Sequence, residues 1–221
     1  MFDLLTRGDG FDTTRLVLAA LSLIASLVYL SVVNRPAGPL RTWTKTASIA
    51  LLAPLPLLAG GSFALIALAL ALAFGSLGDY FLALKDEEKS FKRGIIAFLV
   101  GHIFYLIVMV PHLSAPSPMQ IAGIVLLALM AIGVCAWLSP KLGKYRNAIW
   151  AYMGVISLMA LGSLSVPVSI SGIGALLFVF SDAVIVVNQF GRPVPCRGVI
   201  VWVTYYVGQI LLAGGLLALV Q

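Results

Sequence analysis

Long apolar runs separated by short polar segments make up most of this chain, and run length is the first guide to its structure. A helix rises about 1.5 Å per residue, so crossing a hydrocarbon core of about 30 Å takes roughly 17–25 residues. On that ruler the sequence predicts eight spans: Leu16–Val33, Thr46–Ala59, Ser62–Leu84, Gly94–Val110, Met119–Leu138, Ala148–Leu164, Ile170–Phe190 and Val199–Val220. The second is short and carries Pro54 and Pro56, which remove backbone donors and kink or stop a helix. The expected fold is all-α: a polytopic membrane protein with eight transmembrane helices in one bundle, a single domain over residues 1–221.

The basic residues fall into a pattern that supports this count. Twelve of the 14 sit in alternate connections: Arg35, Arg41 and Lys45; Lys85, Lys89, Lys92 and Arg93; Lys141, Lys144 and Arg146; Arg192 and Arg197. Lysine and arginine collect in cytoplasmic loops, so these four connections are expected on the cytoplasmic side and both termini on the other. Composition agrees, with 61% hydrophobic and only 10% charged residues, against about 25% charged in an ordinary soluble domain. The net charge of +6 lies in clusters between apolar runs and forms no basic stripe, which argues against a nucleic-acid partner. Cys135 and Cys196 lie in different settings and in no metal-ligand spacing, so neither a disulfide framework nor a bound metal is expected. Compact loops point to a bacterial inner membrane.

Three ionisable residues interrupt the apolar runs: Asp79, His102 and Asp182. A charge at the bilayer centre costs at least about 2.5–3.5 kcal/mol on insertion scales, so such side chains face the protein interior and mark functional sites. Counting along the helices puts Asp79 roughly 9 Å, and His102 and Asp182 roughly 12 Å, from the cytoplasmic boundary. One layer, and one shared cavity, is the expectation. Small residues flank the first aspartate (Gly75, Ser76, Gly78), and Ser181, Asn188 and Gln189 extend polarity around the second. Tyr105, Tyr152, and Tyr205 or Tyr206 with Gln209 add further polar tips. A lone intramembrane His or Tyr is as readily an interhelical hydrogen-bonder, and Lys45 at the mouth of the second span reads first as a topology marker or snorkelling anchor. Gly78-Asp79 and Ser181-Asp182 occupy equivalent points of the third and seventh spans, hinting at duplicated four-helix halves over about 12–113 and 119–221.

The stretches FGSLGDYFLAL, FKRGIIAFLVGHIFYL, AYMGVISLMAL, GALLFVFSDAVIVVNQF and TYYVGQILLAGGLL resemble, in order and spacing, the YhhN-like family of membrane proteins. That family contains the lysoplasmalogenases, which hydrolyse the vinyl ether of lysoplasmalogens to a fatty aldehyde and a glycerophospho-alcohol. The resemblance implies that Asp79 and Asp182 match the two essential acidic positions. It also puts His102, Tyr152, Ser181, Asn188, Tyr206 and Gln209 on recurrent polar positions, and substrate contact at Lys45 stays open because the family's frequent Lys-Pro reads Lys45-Thr46 here. The implied partner is a lysophospholipid within the membrane, and no cofactor is required. Paired buried carboxylates suit this chemistry, since one can hold a proton while the other activates water. The sequence carries no P-loop, G-x-S-x-G or H-E-x-x-H motif. A proton-coupled transporter using Asp79 and Asp182 as its relay is the alternative, because intramembrane carboxylates also mark carriers.

Overall fold

A computed structural model describes residues 5–84 and 87–221, and every regular element among them is helical. Lys85, counted above among the loop cations, lies outside the described residues. The eight α-helices among the described residues are α1 (Asp12–Val32), α2 (Pro39–Ala50), α3 (Phe63–Ala83), α4 (Glu87–Met109), α5 (Pro118–Leu138), α6 (Arg146–Ser163), α7 (Ser169–Val186) and α8 (Arg197–Leu219).

Among the described residues, six segments are long and apolar enough to cross a membrane: Asp12–Val32, Phe63–Ala83, Lys89–His112, Pro118–Lys141, Ser169–Gly191 and Arg197–Leu219. Of the eight expected spans, six coincide with these segments, and α2 and α6 fall outside them. The second predicted span, Thr46–Ala59, is in fact a 12-residue helix that begins at Pro39 and ends at Ala50. Proline in the first turn loses no hydrogen bond the helix needs, whereas Pro54 and Pro56 cannot continue one. Turns follow, then a 3-10 turn at Leu57–Ala59. Helix α6 has 18 residues and opens on Arg146-Asn147, two of the least apolar residue types, so its full length lacks the required hydropathy.

The chain divides into two compact units: Met1–Val108 with Leu216–Gln221, and Met109–Gly215. In the first unit, α2 packs against both α1 and α3. Helices α3 and α4 meet almost backbone to backbone: a Cβ added at Gly101 would lie 3.0 Å from the Ala71 carbonyl oxygen. Small residues permit this approach where lipid provides no hydrophobic drive between helices. An N-terminal clasp closes the end of α1. The Arg15 side chain, 1% exposed, is ion-paired with Asp9 and Asp12 and donates to the Leu58 carbonyl at 2.5 Å. Arg7 donates to the neighbouring Ala59 carbonyl at 3.0 Å. Hydrogen bonds from Arg15 hold the Asp9 carboxyl down at about 2, below the ordinary aspartate value.

In the second unit, α5, α6 and α7 pack on one another. Helix α5 starts from a capping box between Ser117 and Gln120, and the Gln120 amide donates to the Val166 carbonyl at 2.7 Å. A Cβ on Gly174 would strike the α8 backbone, with the Gly208 carbonyl oxygen 2.7 Å away, so glycine here sets the α7–α8 distance. Helix α7 runs into a π-helical turn, Val187–Gly191. Beneath that turn, Leu138, Leu142, Ile149 and Val186 form an apolar cluster joined by Tyr145, Met153 and Phe190.

Candidate functional site

Each unit holds one of the two intramembrane aspartates. In the first, α3 carries Asp79 inward with 1% of its side chain exposed, and α2 brings Lys45, 12% exposed, so that Nζ lies 3.1 Å from Oδ1. The neighbourhood is stitched by hydroxyls bonding to backbone. Ser76 Oγ donates to the Thr46 carbonyl at 3.1 Å, and Thr42 Oγ1 to the Ala83 carbonyl at 3.3 Å. These bonds tie α2 to α3 on either side of the ion pair. Trp43 lies against Tyr80 with ring centroids 5.9 Å apart. His102 is buried on α4, one residue past the Gly101 contact. A buried ion pair is only weak evidence for stability, because desolvation of both charges offsets their attraction. A largely enclosed lysine that meets a buried aspartate therefore calls for a functional explanation.

In the second unit, the Tyr152 hydroxyl on α6 donates to Oδ2 of Asp182 on α7. Tyr152 is buried and Asp182 half-buried. Both side chains line a cleft of about 30 Å³, whose other walls are Met130, Ala131, Val134, Met153, Ile156, Ser157, Val179, Ala183 and Val186. The tyrosine and the aspartate thus present polar groups to a hydrocarbon-lined space, the usual makeup of a ligand site. Ser181, beside the aspartate, is fully buried, and its Oγ has no hydrogen-bond partner among the described residues.

The structure thus joins Lys45 to Asp79 and Tyr152 to Asp182. The other expected residues lie elsewhere in their units. Asn188 Oδ1 accepts from the Val194 amide at 3.1 Å and so shapes the loop after the π-helical turn. Tyr206 stacks on Trp202 at 5.8 Å, and Gln209 Nε2 donates to the Tyr205 hydroxyl at 3.3 Å, both on α8. None of these three lines the cleft. Sequence reasoning read Lys45 as a topology marker or snorkelling anchor with substrate contact open, and missed its pairing with Asp79. It also missed Arg15, although Asp12 and Arg15 stand at the i,i+3 spacing that lets opposite charges meet on a helix.

The fold and these groups define a polytopic, helical membrane protein with a partnered carboxylate inside each unit. The chain belongs to the YhhN family, whose model matches residues 40–216, a stretch that includes Lys45, Asp79, Tyr152 and Asp182. Among curated proteins it is 27% identical over 151 residues to a lysoplasmalogenase of Mycobacterium bovis, covering 66% of this chain and 58% of that one. It is 33% identical over 155 residues to the human lysoplasmalogenase TMEM86A (64% and 61% covered), and 32% identical over 143 residues to the lysoplasmalogenase TMEM86B of Sus scrofa (65% and 60%). The matches thus span about three-fifths of the length of these relatives. No solved structure matches.

Proposed function

We propose that the protein is a membrane-embedded hydrolase that cleaves the vinyl ether bond of lysoplasmalogens. The observation that carries this reading is the Tyr152–Asp182 pair on the wall of an otherwise apolar cleft, in a chain whose curated relatives bear the name lysoplasmalogenase. Hydrolysis begins with proton transfer to the alkene carbon distal to the ether oxygen, giving an oxocarbenium ion. Water adds to the ether-bearing carbon and gives up a proton, and the resulting hemiacetal collapses to fatty aldehyde and glycerophospho-alcohol. One water is consumed, and the catalytic proton is returned.

The reaction needs a proton donor and a base, and Asp79 and Asp182 are the two carboxyl groups that fill these roles. Tyr152 orients the Asp182 carboxyl through its hydrogen bond, Lys45 balances charge on Asp79, and His102 is a further orienting group. Ser181, Asn188, Tyr206 and Gln209 act as supports of the surrounding helices and loop. General acid–base catalysis of this kind contributes typically about 10²–10⁴-fold. Helices α2 and α6 complete eight membrane-crossing segments in this reading, with both termini on the non-cytoplasmic side.

The test is aldehyde release from lysoplasmenylethanolamine and lysoplasmenylcholine by the purified protein, with Asp79→Asn and Asp182→Asn alongside. The expected result is aldehyde from the parent and a fall of about 10²–10⁴-fold in each variant. A folded parent that moves a lysolipid across a bilayer and releases no aldehyde would replace the hydrolase with a carrier.

A further inference from the structure

The second half of α5 is held unusually lightly. Its buried residues are Gln120, Leu127 and Leu138, so the ten positions between Leu127 and Leu138 contain no deeply buried side chain. Within that stretch Met130, Ala131 and Val134 form one wall of the cleft, while Leu129 and Ile132 turn outward, 64% and 66% exposed. The opposite walls, on α6 and α7, hold the buried Tyr152 and its partner Asp182. At about 30 Å³ the cleft admits water but is too small for a lipid chain as it stands. Displacing the lightly held segment of α5 is the way to widen it. Met130 and Met153 face each other's helices across the space, and methionine is the side chain best able to refill an irregular gap.

Charge fixes which end of a guest lies where. The connection between α5 and α6, at this end of the cleft, carries Lys141 and Arg146, both exposed. Lys141 Nζ sits 3.8 Å from the centroid of the Trp137 ring, and Arg146 donates to the Ser139 carbonyl at 3.3 Å. Arg146 is six residues before Tyr152 on the same helix, an axial distance of roughly 9 Å. A headgroup phosphate held by this cationic end would leave the first carbons of an attached chain beside Tyr152 and Asp182.

We infer that the cleft between α5 and α6–α7 is the seat for the hydrocarbon chain of a single-chain phospholipid, which arrives sideways from the bilayer by parting α5 from α6. The chain lies along Met130, Val134, Met153 and Ile156, with its phosphate at Lys141 and Arg146 and its first carbons at Asp182. So narrow a seat accepts one chain and excludes a two-chain lipid, which makes it a determinant of selectivity for lysolipids. This inference rests on the hydrolase reading for what happens to the chain, and not for its binding.

The test uses the full chain in nanodiscs of diacyl phospholipid, with a non-hydrolysable 1-O-alkyl lysophospholipid carrying a diazirine in mid-chain. After photolysis, adducts mapped by mass spectrometry are expected on residues 130–134 and 153–156. Excess unlabelled alkyl lysophospholipid should compete them away, and added diacyl lipid should not. Adducts spread over outward positions such as Leu129 and Ile132, without competition, would overturn the seat. A paired kinetic test fills the cleft with Ala131→Phe and uses Leu129→Phe as an outward control. With a long-chain lysoplasmenyl substrate the first should raise KM about tenfold or more, equivalent to roughly 1.4 kcal/mol, and the second should leave it within about twofold. An unchanged KM in folded Ala131→Phe overturns the seat while the hydrolase stands. Competed adducts at the cleft in a parent that releases no aldehyde would retain the seat and sink the hydrolase.

Discussion

Asp79 and Asp182 are the same residue type in two apolar helices, yet the two units hold them by different means. The first unit meets its aspartate with a cation, Lys45, and encloses the pair almost completely. The second meets its aspartate with a neutral phenol and leaves it half-buried on a cleft wall. A buried charge needs a counter-charge or it destabilises the fold, whereas a carboxyl beside a tyrosine needs only a hydrogen bond. The difference teaches that one carboxyl is held by a counter-charge and enclosed, while the other is held by a hydrogen bond and lines a cleft.

The largest expected effects separate catalytic from structural use of each carboxyl. Asp182→Asn preserves shape and removes the acid, and kcat/KM for aldehyde release should drop by about 10²–10⁴-fold. Asp79→Asn should do the same. Full activity in either one would reduce that aspartate to a structural group and break the pairing of roles.

Next comes the stability of the enclosed ion pair. Lys45→Met removes the counter-charge of a buried carboxylate, for which the expected cost is about 3–5 kcal/mol. Replacing both partners, Lys45→Met with Asp79→Leu, should recover most of it, because burial of an apolar pair carries no desolvation penalty. Denaturant titration in mixed micelles reads both. A cost equal in single and double variants would mean that the ion pair is not what holds α2 against α3.

A smaller effect is expected where α7 meets α8. Gly174→Ala drives a methyl into the α8 backbone and should cost about 1–3 kcal/mol through overpacking. By contrast, a Cβ on Gly133 of α5 meets nothing within 4 Å. Gly133→Ala should therefore be neutral or slightly stabilising through helix propensity. Thermal unfolding of the two variants compares the tight and the lightly held sides of the second unit.

The smallest stability effect belongs to the phenol. Tyr152→Phe removes an interhelical hydrogen bond of a kind worth about 0.6 kcal/mol on average between membrane helices and no more than about 1.7. Activity should fall more than stability, since Tyr152 orients Asp182. A stability loss as large as that of Lys45→Met would erase the contrast between the two units.

Much of this was legible in the sequence. Run length located the six long apolar helices, and the cost of burying charge singled out Asp79 and Asp182. Tyr152 was marked on its own span, but only the packing of α6 on α7 shows which carboxyl it serves. The pairing of Lys45 with Asp79 was not foreseen because hydropathy treats a lysine at a span boundary as a loop residue. Helix α2 starts seven residues earlier than expected, at Pro39, which carries Lys45 into the helix and turns it toward α3. Pairings of this kind, 34 residues apart in the chain, depend on helix rotation, and α3 is apolar on nearly every face, so its sequence does not announce which way Asp79 turns. The clasp around Arg15 was hidden for a related reason: the carbonyl of Leu58 that it binds belongs to a turn that replaced the expected helix.

The most direct test of the central claim is to run the reaction in heavy water and trap the aldehyde as it forms. Protonation of the distal alkene carbon by a carboxyl in exchange with solvent predicts one deuterium on the carbon next to the aldehyde carbonyl, with a slowed rate. Aldehyde released without that deuterium would mean that the bond is broken by another route, and that the two aspartates do not perform the acid catalysis assigned to them.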